Sequence, residues 1–295
     1  MQPVTISGHR FVSGGQPFSY VGIDGFGLFK RWLMPDGPNA LVRPWLQEHK
    51  AIAALGGYAG PIVVRVFRYA APPNSFALDP WGYMAPNGQF PALTAFLAAC
   101  EEEGFYVDLT SGDSQIVLPT QSGQQEHLNR TCAALAGCPN VFLETCNEPF
   151  KNGIDVGAVV PPQWGPYLRD SGYYSEIQGW QARMNLDFIS YHGGRGDGGL
   201  VVWPKWLIDL DDQLATLLSA FGKPVVLKEP IGFAESNQPG RRSNQPDHAY
   251  RLGLTVAYGG VLFHSDDGID CNSPRPVQRA CEVAFFQGVK GGLTR

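Results

Sequence analysis

Val141-Phe142-Leu143-Glu144-Thr145-Cys146-Asn147-Glu148-Pro149 and Pro224-Val225-Val226-Leu227-Lys228-Glu229-Pro230 share one shape: an apolar run ending on a glutamate followed by proline. Short β-branched and aromatic runs of this kind recur along the chain. They alternate with longer stretches of helical spacing, which is the pattern of βα units and a parallel sheet. The core strands expected from it are Ser19–Ile23, Ile62–Arg68, Tyr106–Thr110, Val141–Cys146, a weak one at Tyr167–Arg169, Asp187–Tyr191, Val225–Lys228 and Val261–His264. A small hairpin, Val4–Ile6 with Arg10–Val12, precedes them and runs to a Gly14-Gly15 turn.

Helices are expected at 45–55, 91–103, 124–136, 207–221, 247–258 and 276–289. Apolar residues recur there at helical spacing, as in Ala92, Phe96, Ala99 and Cys100, or Leu207, Leu210, Leu214, Leu217 and Leu218. Glycines mark several stops: Gly56-Gly57, Gly104, Gly222 and Gly259-Gly260. Eight βα units in a chain of 295 residues predict an α/β fold, a (β/α)8 TIM barrel, as one catalytic domain over residues 1–295. The interval from Val141 to Asp187 must hold two whole units, so a shortened helix is expected after strand four. The alternative is a doubly wound open sheet, but no G-x-G-x-x-G follows the first strand.

Composition narrows the partners. The net charge is −5 and charged residues make up 17% of the chain, low against about 25% in ordinary globular proteins. Arg241-Arg242 is the nearest approach to a basic run, so nucleic acid is not expected as a partner. No apolar stretch approaches the ~18 residues of a membrane helix, so no membrane partner is expected. Oligomeric state is not legible. Met1-Gln2-Pro3-Val4-Thr5 lacks a basic segment followed by an apolar one. No signal peptide is read from it, and a cytoplasmic location or release by another route is the expectation. No C-x-x-C or H-E-x-x-H spacing offers a metal site, and no metal or organic cofactor is expected. Six cysteines are too few for a disulfide scaffold; Cys132 and Cys138 could pair in an oxidising compartment.

Active sites of (β/α)8 barrels form at the C-terminal ends of the strands. Glu148 and Glu229 stand there, on strands four and seven. Two carboxyls facing one mouth suit glycoside hydrolysis, where one protonates the leaving oxygen and the other attacks the sugar or activates water.

Here the chain resembles the clan A retaining glycoside hydrolases, a superfamily of (β/α)8 barrels. The likeness rests on Asn147-Glu148-Pro149 closing strand four and on Lys223-Pro224-Val225-Val226-Leu227-Lys228-Glu229 closing strand seven. It extends to Val63-Val64-Arg65-Val66-Phe67 on strand two and to Asp187-Phe188-Ile189-Ser190-Tyr191-His192 on strand six. The opening, Gly15-Gln16-Pro17-Phe18 leading into Gly22-Ile23-Asp24, is also similar. The resemblance implies a retaining glycosidase acting on a β-linked oligo- or polysaccharide, with Glu148 as general acid/base and Glu229 as nucleophile. It implies that Arg65 favours the charged form of Glu229 and that Asn147 holds the sugar 2-hydroxyl, with Tyr191 and His192 in the same subsite. Arg65 has a second reading, as the partner of an acidic neighbour inside the barrel mouth.

His264 ends strand eight and faces the same mouth. Trp32, Trp81, Trp164 and Trp203 fall in the predicted loops around it. Flat aromatic surfaces suit the apolar faces of sugar rings, and Trp32, Trp81 and Trp203 join the candidate binding residues. For at least two of the four loop tryptophans, anchoring the loop in the core is the simpler role. Two rival functions remain open: a non-catalytic carbohydrate-binding barrel, and a barrel lyase or isomerase that uses Glu148 as a proton-abstracting base.

Overall fold

The computed structural model describes residues 1–68, 90–111, 118–147, 154, 168–170, 187–192, 205–228, 246–264, 271, 273–274 and 276–294; residues 168–170, 192 and 205–210 are described by their backbone only. Three short strands come first: β1 (Val4–Ser7), β2 (Arg10–Ser13) and β3 (Gln16–Phe18). The expected hairpin is therefore a three-stranded antiparallel sheet. Gly14 and Gly15 both take positive φ, which the two-residue turn between β2 and β3 requires. That turn brings Gln16–Phe18 back alongside β2.

Eight parallel strands follow: β4 (Tyr20–Asp24), β5 (Ile62–Phe67), β6 (Phe105–Thr110), β7 (Val141–Glu144), β8 (Leu168–Asp170), β9 (Ile189–His192), β10 (Val225–Lys228) and β11 (Gly259–Phe263). They lie in the order β8-β7-β6-β5-β4-β11-β10-β9. The helices are α1 (Leu28–Trp32), α2 (Arg43–Leu55), α3 (Phe90–Glu102), α4 (Gln121–Leu135), α5 (Lys205–Phe221), α6 (Pro246–Leu254) and α7 (Pro276–Leu293). The fold is a (β/α)8 barrel. Sequence periodicity ran the helix that begins at residue 247 on to residue 258. In the structure α6 stops at Leu254 and a 3₁₀ turn spans Thr255–Tyr258. The Thr255 hydroxyl donates back to the Leu252 carbonyl at 2.8 Å, which tightens the last turn. The shortened helix expected after strand four lies outside the described residues. Among the described residues, no helix is long and apolar enough to cross a membrane.

Successive side chains of a strand point to opposite faces, and in this barrel both faces are buried. Val21, Ile23, Val64, Val66, Val107, Leu109, Leu143, Val225, Leu227 and Phe263 pack outward in one core with the surrounding helices. Tyr20, Val63, Tyr106, Phe142, Phe188, Val226 and Leu262 face inward and form a second core with Val4, Phe11 and Phe18 of the small N-terminal sheet. The Phe142 ring meets Phe11 at 5.8 Å and Tyr20 at 5.1 Å, both edge-on. The N-terminal sheet thus plugs one end of the barrel with aromatic rings. None of the six cysteines is in a disulfide, so Cys132 and Cys138 are not paired with each other.

Candidate active site

The inward face changes character along each strand. On β5, Val63 is followed two residues on by Arg65; on β6, Tyr106 by Asp108 and Thr110; on β7, Phe142 by Glu144; on β10, Val226 by Lys228. Strand register sets these positions side by side: Asp24 opposite Arg65, Arg65 opposite Asp108, and Thr110 opposite Glu144. Above the aromatic plug the interior is therefore ionic, and Arg65, Asp108, Glu144 and Lys228 are all fully buried.

Arg65 takes Glu144 in a two-pronged grip. Its Nε donates to Oε2 at 2.7 Å and its Nη2 to Oε1 at 2.9 Å. Charge-assisted pairs of this geometry are the strong ones. The same Nη2 donates to Asn147 Oδ1 at 2.9 Å, so the oxygen side of that amide is turned toward the guanidinium. Thr110 Oγ1 donates to Glu144 Oε2 at 2.5 Å. Stacked rings of Phe26 and Phe67, 4.0 Å apart, flank the cation at 5.1 and 4.9 Å, an arrangement that favours a partly desolvated positive charge.

Lys228 forms the second half of the network. Its Nζ pairs with Asp108 Oδ2 and stands 3.7 Å from Glu144 Oε2. Tyr20 donates its hydroxyl to Asp108 Oδ2 at 2.5 Å. Burial pushes the Asp108 carboxyl above the usual carboxylate range, and Glu144 adds to this; Lys228 and Arg65 oppose it. The other oxygen, Oδ1, has no hydrogen-bond partner among the described residues. At the end of β11, His264 Nδ1 lies 3.0 Å from Asp24 Oδ2, with its ring 5.6 Å from that of Phe26.

Of the residues read from sequence, the structure brings Arg65, Asn147 and His264 to this end of the barrel. The partner of Arg65 shown here is Glu144. Tyr191 is a correction: it faces outward with Ile189, and its hydroxyl donates to Gln213 Oε1 on α5 at 2.5 Å. The cause is strand parity, because Ser190 takes the inward position between them and only every second residue can. Trp32 ends α1 half-buried, its ring edge-on to Phe96 of α3 at 5.8 Å, a loop-anchoring contact. His192 is described by its backbone, opposite Lys228 in the ladder. Glu148, Glu229, Trp81, Trp164 and Trp203 lie outside the described residues. Sequence reading passed over Asp24, Asp108, Glu144 and Lys228. Their signal was present: a polar residue two positions after an inward apolar one, inside an otherwise apolar strand. No group of three or more His, Cys, Asp or Glu is placed to hold a metal ion among the described residues.

No protein-family model matches the chain, and no curated protein does. Solved structures do. A β-mannanase from Streptomyces thermolilacinus, solved with mannohexaose, superposes with a TM-score of 0.56 at 17% identity, over 100% of this chain and 96% of that one. A β-1,4-D-mannanase from Cryptopygus antarcticus gives 0.55 at 14%, over 99% and 95%. A cellulase gives 0.57 at 14%, over 90% and 81%. At these identities the likeness is one of fold. The barrel has the fold of glycoside hydrolases, along nearly its whole length.

Proposed function

We propose that residues 1–295 form one catalytic domain, a glycoside hydrolase that cleaves a β-linked oligo- or polysaccharide with retention at the anomeric carbon. The observation that carries this reading is the ionic layer at the C-terminal end of the barrel. The strands that lead into Glu148 and Glu229, β7 and β10, meet across it through Glu144 and Lys228. Fold likeness to two β-mannanases and a cellulase supports the same class of substrate.

In this mechanism Glu148 donates its proton to the glycosidic oxygen while Glu229 attacks the anomeric carbon and forms a glycosyl ester. Glu148, now ionised, takes a proton from water as that water attacks the same carbon and releases Glu229. The two carboxyls need separate pKa values, Glu148 protonated and Glu229 ionised before substrate binds. Asn147, its oxygen turned to Arg65, presents its NH2 to the sugar 2-hydroxyl, a contact that strengthens in the oxocarbenium-like transition state. His264, His192, Trp81 and Trp203 form the candidate sugar-contacting wall; Tyr191 and Trp32, which pack against α5 and α3, are not part of it.

The test is hydrolysis of a panel of aryl β-glycosides, β-mannan and β-glucan. The wild type is expected to turn over at least one, with the product anomer retained by NMR. Glu148→Gln should lower kcat about 10²–10⁴-fold on substrates with poor leaving groups, and Glu229→Gln should abolish the glycosyl ester. A folded wild type with no turnover across the panel overturns the proposal and favours a sugar-binding barrel.

A further inference from the structure

Lys228 crosses the barrel. It lies on β10, one residue before Glu229, with its Nζ against Asp108 of β6 and 3.7 Å from Glu144 of β7. In the strand order, β10 is separated from β6 by β11, β4 and β5, and from β7 by those three and β6. The contact is therefore a chord through the interior and no part of the backbone ladder. Both of its receiving carboxylates are themselves held. Asp108 accepts from Tyr20 on β4, and Glu144 from Arg65 on β5 and Thr110 on β6.

A fully buried lysine is an expensive way to join strands. Apolar residues of similar volume are often neutral or stabilising in place of a buried ion pair, so the pair is weak evidence for a stabilising role. What an apolar residue cannot do is hold strand ends through charge: the close pair with Asp108 joins β10 to β6, and the 3.7 Å ion pair with Glu144 reaches across to β7. The two strands tied here, β7 and β10, are those that lead into the two glutamates of the proposed mechanism.

We infer that Lys228 is a positioning residue, a strut that sets the separation of the ends of β7 and β10 and through it the distance between the Glu148 and Glu229 carboxyls. The inference rests on the glycosidase reading above. The tolerance is narrow. Retaining pairs stand about 5–5.5 Å apart and inverting pairs about 6.5–9.5 Å, so a relaxation of roughly 1 Å leaves the retaining range. A misplacement of about 1 Å can cost 10²-fold in rate. Asp108 also needs the cation beside it, since burial alone drives its carboxyl toward the neutral form.

Lys228→Met and the charge-balanced pair Lys228→Met/Asp108→Asn separate this role from a purely structural one. The second substitution removes the anion that the first leaves unpaired, and its amide oxygen still accepts from Tyr20. Two measurements are made on each: kcat and KM on the best aryl β-glycoside, and the Glu148–Glu229 separation in a crystal structure. The single variant should lose both Tm and kcat. The double variant should regain Tm to within about 3 °C of wild type. Its kcat should stay down about 10²-fold with KM within about twofold, and its carboxyls should stand about 1 Å further apart. A double variant with wild-type kcat, or with the wild-type separation, overturns the inference. Should the single variant not fold, Asp108→Asn alone loosens one arm of the strut; about a tenfold loss of kcat is expected, and an unchanged kcat overturns the inference. If the wild type proves inactive on every substrate, the glycosidase reading fails by itself, and the carboxyl separation still decides the role of Lys228.

Discussion

Glu144→Gln tests whether the interior of this barrel is a dry ionic core. In the wild type the Glu144 carboxylate receives Arg65 Nε at 2.7 Å, Arg65 Nη2 at 2.9 Å and Thr110 Oγ1 at 2.5 Å, with both members of the ion pair fully buried. Glutamine offers one oxygen where three donors converge, and its NH2 must face at least one of them. The guanidinium keeps Asn147 and the flanking rings of Phe26 and Phe67 but loses its counter-charge. Breaking a buried pair from one side costs about 3–5 kcal/mol, a large share of a total stability of about 5–15 kcal/mol. With a urea m-value near 3 kcal/mol/M, the unfolding midpoint should fall by about 1–2 M with m unchanged. Arg65→Met/Glu144→Leu, which removes both charges, should recover most of that loss. A midpoint shift below about 0.3 M for Glu144→Gln would refute the reasoning, because it means that water already reaches Arg65.

Other outcomes follow from single contacts. Phe142→Ala opens a hole in the plug, where its ring meets Phe11, Tyr20 and Phe188; urea unfolding should show a loss of about 3–5 kcal/mol. His127 is half-buried with Nε2 3.0 Å from the Ser111 carbonyl, and desolvation, with Arg68 and Arg130 nearby, holds its pKa down to about 4 against an ordinary 6.5. A lowered histidine pKa stabilises the fold above about 6.5 and loses that contribution as pH falls from there toward 4. Between pH 7 and 4.5 the wild type should therefore lose about 2–3 kcal/mol more than His127→Gln by urea unfolding, and parallel pH profiles would sink the assignment. Thr120 caps α4 by accepting from the Gly123 amide at 3.1 Å, so Thr120→Ala should lower stability by about 0.5–2 kcal/mol in the same assay.

The barrel was legible because most of its strands open as apolar runs, and several are followed by a helix that glycine punctuates. β10 was read residue for residue as Val225–Lys228, and β5 and β6 to within one residue. Two features escaped. The third strand of the N-terminal sheet, Gln16–Phe18, was hidden because Gln16 and Pro17 carry little strand signal; it pairs with β2 because the Gly14-Gly15 turn returns it there. The end of α6 escaped because Thr255 keeps the helical spacing while its hydroxyl takes a local carbonyl.

The motifs reached part of this ionic layer, and strand parity would have reached the rest. Arg65 and Asn147 were found by resemblance, and Tyr191 was included with them because it neighbours His192 in the same motif. Period-two geometry separates them. Tyr191 alternates with inward Ser190 and goes to the helices, while Arg65, Asp108, Glu144 and Lys228 each follow an inward apolar residue by two and go to the interior. Reading each strand as two interleaved faces would have exposed four charges directed at one another inside a chain otherwise poor in charge. That pattern is self-consistent only if the interior closes over it. Two cations, Arg65 and Lys228, answer two carboxylates, Asp108 and Glu144, so no net charge is buried among these four. An active site built above such a layer inherits a floor that is neutral overall but locally strongly polar. In the proposed glycosidase, such a floor would hold donors and acceptors at fixed positions beneath the charge that develops at the sugar ring.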